Sequence, residues 1–142
     1  MSEDTTVLWR LNNDSSGLTS PRALIRVFTA PGTLEELTAR YERVQGVRRD
    51  MWFTYPQKRL ALAVVGGFLL VEGEAADLAP FRHVHGTLLV DSARGRLDRL
   101  LAEGGEVLDP LRPVPTGSGF TARHADGTVV EYVEHRPDSL GR

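Results

Sequence analysis

Few residues of this chain are suited to chemistry, and they stand far apart. Strand-like alternation puts His83, His85, Thr87 and Leu89 on one face, so two imidazoles two residues apart look the same way. The same alternation sets Glu131 with Val129 and Val133, and Glu72 with Phe68 and Leu70. A carboxylate flanked by apolar neighbours on a mid-sheet strand is partly buried and needs a partner or a shifted pKa. A lone imidazole in a strand is more often a hydrogen-bonded wall residue than a ligand or base, and His124 and His135 read as solvated. Met51-Trp52-Phe53-Thr54-Tyr55 alternates too: Trp52 and Thr54 share one face, Met51, Phe53 and Tyr55 the other. Either set serves as core or as a stacking wall for a planar ligand, and so do Phe68, Phe120 and Tyr132. There is no cysteine, which excludes disulfides, thiolate metal sites and cysteine nucleophiles.

The elements that position these residues follow from periodicity. With 142 residues, 41% hydrophobic and 25% charged, the chain is globular: one domain, or two small modules. A net charge of −2 argues against a nucleic-acid binder. The longest apolar stretch, Leu60 to Val71, is broken by Gly66-Gly67 and is too short to cross a bilayer; no apolar signal core opens the chain, so a cytoplasmic location is expected. Ala23–Thr29 reads as a strand. Thr33 with Glu36 has capping-box spacing, and Leu34, Leu37, Tyr41 and Val44 mark a helix that stops at Gly46. Strands follow at Asp50–Tyr55, Arg59–Val65 and Gly67–Glu72, with turns at Pro56-Gln57 and Gly66-Gly67. The order then recurs: strand His83–Val90, helix Ala93–Glu103 with Leu97, Leu100 and Leu101 inward, strand Glu106–Leu111, and a hairpin of Phe120–Arg123 and Thr128–Glu134 around Asp126-Gly127. Pro113–Gly119 reads as a flexible rim loop.

This is βαβββ twice: a weakly ordered arm over 1–22, modules over 23–73 and 83–134, a connector over 74–82 and a tail over 135–142. The helix-ending Gly46 and Gly105 stand 59 residues apart, and the same step carries Arg26 onto His85 and Glu72 onto Glu131. Three segments give the layout a family likeness: Tyr41-Glu42-Arg43-Val44-Gln45-Gly46, His85-Gly86-Thr87-Leu88-Leu89-Val90-Asp91, and Arg123-His124-Ala125-Asp126-Gly127-Thr128-Val129-Val130-Glu131-Tyr132. With these the chain resembles the vicinal oxygen chelate superfamily of glyoxalases, extradiol dioxygenases and bleomycin-resistance proteins, over about Ala23 to Glu134.

The resemblance implies an α+β fold in which two βαβββ modules form a curved, half-barrel mixed sheet, with helices outside and a pocket on the concave side. By position it implies a ligand pocket of Arg26, Trp52, Phe53, Tyr55, Glu72, His85 and Glu131. Of these, His85, Glu72 and Glu131 are metal-competent, with His83 two residues away on the same face, and would suit Zn, Fe, Mn or Ni. Arg26 falls where a further ligand belongs, and a guanidinium offers no lone pair and repels a cation. Two functions follow from the resemblance. One is a metal-free protein that binds a small aromatic or polycyclic molecule, for sequestration or resistance. The other is a divalent-metal-dependent lyase/isomerase or dioxygenase with an incomplete ligand set. No catalytic residue is assigned in the first. A homodimer is expected, with neither membrane nor nucleic acid as partner.

Overall fold

The computed structural model describes residues 8–9 and 14–136. The α+β class and the βαβββ order are as the sequence implies. The chain falls into two compact units: Ile25–His83 together with the strand Leu8–Trp9, and Asp14–Leu24 together with the chain from Val84 onward. Among the described residues no helix is long and apolar enough to cross a membrane.

In the first unit the elements are β1 (Leu8–Trp9), β2 (Arg22–Thr29) from Ile25 onward, α1 (Leu34–Gln45), β3 (Met51–Tyr55), β4 (Leu60–Val65), β5 (Phe68–Glu72) and the short α2 (Ala75–Leu78). The strands lie in the order β1-β3-β4-β5-β2. All neighbours are antiparallel except β5 and β2, which are parallel because α1 makes the crossover between the ends of the module. α1 buries Leu34 against Ala63, Val65 and Leu70, with Val27, Leu37, Tyr41, Trp52 and Phe68 packed around them. Val44, expected on that stripe, is 76% exposed. Gly46 ends the helix at φ 69°, a left-handed conformation that glycine adopts without a Cβ clash.

The second unit repeats the pattern with β6 (Gly86–Leu89), α3 (Ala93–Ala102), β7 (Glu106–Val114), β8 (Gly117–Arg123) and β9 (Val129–His135), in the order β6-β9-β8-β7. Here β6 and β9 are the parallel pair. Leu97 and Leu100 of α3 pack on Val90, Phe120, Ala122, Val130 and Tyr132, while Leu101 is half exposed.

Several expectations need correction. The rim loop is not a loop: β7 runs through to Val114 and pairs with Gly117, leaving a two-residue turn at Pro115-Thr116 with Thr116 buried. The connector holds α2 and a 3-10 turn, Ala79–Phe81. The arm contributes β1 and a 3-10 turn at Ser15–Gly17, where buried Ser15 accepts the His135 N–H at 2.8 Å. His135 is itself 5% exposed rather than solvated. The Trp9 side chain, Asn12-Asn13 and the tail from Pro137 lie outside the described residues.

Candidate functional site

Each half-sheet has one face against its helix and one turned away, and register decides which face each candidate takes. In the first unit, cross-strand partners place Trp52, Ala63 and Leu70 in one row, and Ala61 beside Glu72 in another. These rows face α1, as the packing of Trp52, Ala63, Leu70 and Ala61 around Leu34 shows. The opposite face carries the rows Arg26, Leu69, Val64, Met51 and Phe28, Val71, Leu62, Phe53, with Tyr55 beside Leu60 in the next. Arg26, Phe53 and Tyr55 are therefore on one side of the half-sheet, Trp52 and Glu72 on the other.

The two residues on the helix side are engaged there. Glu72 Oε2 accepts the backbone N–H groups of Thr33 at 3.0 Å and Leu34 at 2.9 Å, the first donors of α1. It thus supplies the cap that the sequence assigns to Thr33. Thr33 itself has helical φ and ψ, makes no side-chain cap, and gives its hydroxyl to the Ala30 carbonyl. Trp52 lies under the Arg49 guanidinium, 5.4 Å from the ring centroid. Arg49 also bonds Glu42 and Glu35, and those carboxylates raise its pKa further above its ordinary value.

In the second unit the face turned away from α3 carries a polar row. Thr87, Glu131 and Thr121 are cross-strand partners, with Asp109 opposite Thr121. Thr87 is 2% exposed and donates its hydroxyl to Glu131 Oε1 at 3.3 Å. One step along, His85 is exposed, and its Nδ1 accepts the Val129 N–H at 3.0 Å. The same Nδ1 stands 3.3 Å from the Val129 carbonyl. His83 is exposed as well.

Among the described residues no three His, Asp or Glu side chains converge as a metal site would need. In the first unit one face carries Arg26 with Phe28, Phe53 and Tyr55, of which Phe53 is buried; in the second, Thr87 and Glu131 form the polar row. Parity placed Thr87 on the His85 face without giving it a role and missed Thr121, because a threonine carries no signal until its cross-strand partner is a carboxylate. Phe28 was legible as the i+2 neighbour of Arg26, though the sequence does not show its exposure.

The fold has known counterparts. A solved structure of an uncharacterized protein from Methanosarcina mazei is 36% identical, over 81% of this chain and 92% of that one, with a TM-score of 0.74. The chain belongs to the family of that Methanosarcina protein. A hypothetical protein from Bacillus halodurans, 16% identical over 80% of this chain and 94% of its own, has a TM-score of 0.55 and shares the fold alone. A glyoxalase-related enzyme from Fulvimarina pelagi matches at 21% identity over 81% of this chain and 87% of its own, with a TM-score of 0.27. No family model matches the chain, and neither does any curated protein.

Proposed function

We propose that this protein is a glyoxalase/bleomycin-resistance-like binder that holds a small aromatic or polycyclic molecule without a metal, in a sequestration or resistance role. The observation that carries the reading is the division of faces in the first unit. Arg26 shares its face with Phe28, Phe53 and Tyr55, while the carboxylate of Glu72 is on the other side capping α1. A guanidinium beside aromatic rings suits a flat ligand by stacking and hydrogen bonding.

The donor chemistry also fits a divalent cation poorly. Using Glu72 as a ligand would strip two helix-terminal N–H groups of their acceptor. Using His85 through Nδ1 would likewise take that nitrogen from the Val129 N–H. The test is elemental analysis of protein purified without chelators, together with thermal shifts against flat aromatic compounds. Substoichiometric metal, with stabilisation by an aromatic ligand that Tyr55→Ala reduces, is the expected result. Stoichiometric Zn, Fe, Mn or Ni that is lost in Glu131→Ala would overturn it in favour of the metalloenzyme.

A further inference from the structure

We propose that Arg82, in cation–π contact with Phe28, is the subsite for the carboxylate of an aromatic acid; this rests on the aromatic-binding reading above and narrows its ligand class. Phe28 ends the row that runs through Val71 and Leu62 to Phe53, and unlike those three it is only partly buried. Arg82 follows the 3-10 turn Ala79–Phe81, whose Ala79 carbonyl accepts the Arg82 N–H at 3.4 Å, and this turn aims the side chain back at β2. Its guanidinium carbon lies 5.1 Å from the Phe28 centroid.

The guanidinium is exposed, and no described carboxylate pairs with it. Arg49, Arg59, Arg96 and Arg123, by contrast, each hold a carboxylate of their own. From Ala79 to Val90 the chain has no acidic residue, but it has Arg82, His83 and His85. Arg26, two residues before Phe28, adds a further positive charge to the same face. A guanidinium beside a ring and without a carboxylate of its own keeps its N–H fork for a planar bidentate acceptor. A flat aromatic acid supplies that acceptor on a rigid ring, so one ligand meets both the fork and the aromatic surface.

The full-length protein and Arg82→Met are titrated by calorimetry with 2-naphthoate and with 2-naphthalenemethanol. Methionine keeps apolar cover on Phe28 and removes only the charge and the fork. Wild type is expected to prefer the acid by about tenfold or more, and Arg82→Met to erase that preference. Equal affinity of wild type for acid and alcohol, or a preference that survives in Arg82→Met, overturns the subsite and leaves aromatic binding standing. If neither compound binds wild type, the aromatic-binding reading fails and the subsite fails with it.

Discussion

Two glutamates at the ends of parallel strands show how a carboxylate can serve structure in one place and leave chemistry to another. Glu72 Oε2 takes the first N–H groups of α1, and Glu134 Oε1 takes the Ala93 N–H at the start of α3 at 2.8 Å. Each terminal strand thus anchors the helix of its own module. Glu72→Ala is expected to cost about 1–3 kcal/mol in urea denaturation, and Glu134→Ala a similar amount, since each leaves helix-terminal donors without their acceptor. Tyr132 carries a pH dependence. Burial raises its phenol above the ordinary value of 10.0, and its hydroxyl meets His124 Nε2 at 2.7 Å, so His124 is bonded rather than solvated. Because the folded-state pKa is the higher one, this contribution is complete below the unfolded value and is lost as pH rises through the folded one. Urea midpoints followed through the alkaline range should fall above about pH 10 in wild type and flatten in Tyr132→Phe.

The elements show where local rules held and where a neighbour overrode them. The β4–β5 turn at Gly66-Gly67 is clasped by the end of α1: Gln45 Nε2 donates to the Val65 carbonyl at 3.0 Å, and its Oε1 accepts the Gly67 N–H at 3.3 Å. The β7–β8 hairpin looked like a loop because Pro110 and Pro113 are poor strand residues. β7 is the terminal strand of its half-sheet and carries two register shifts, which is where prolines are tolerated and where they discourage edge pairing. Gly117 closes this hairpin under the β9 backbone, and a Cβ there would stand 2.0 Å from the Glu134 carbonyl oxygen. Gly117→Ala is expected to lower stability by about 1–3 kcal/mol, read by urea denaturation, because backbone rather than a flexible side chain must move.

At the scale of the molecule, the second unit is closed by residues from both ends of the chain. Ser15 Oγ accepts from the His135 N–H and from Arg136 Nη1, and Arg136 reaches the Asp91 carbonyl and the Thr116 carbonyl as well. Ser15→Ala leaves a buried N–H without its acceptor and should cost about 1–3 kcal/mol. Hydrogen exchange should then quicken at His135. The repeat holds at this scale, but its step differs from element to element. Gly46 and Gly105 do stand 59 residues apart, whereas the capping partner of Glu72 is Glu134, three residues beyond the Glu131 that the same step selects. The strands after α3 are longer than those after α1, so one offset cannot serve the whole module.

What the sequence determined by itself was the α+β class, the βαβββ order, the end of α1 at Gly46 and the alternation within each strand. All of these are local, since they depend on side-chain periodicity and on backbone preferences over a few residues. Sequence parity also showed that Trp52 and Phe53 face opposite ways. Only the tertiary structure decided which of those ways meets a helix, because that depends on strand register and on the crossover of α1, contacts between residues far apart in the chain. The same long-range pairing turned Glu72 from a candidate ligand into a helix cap and brought Arg82 onto Phe28.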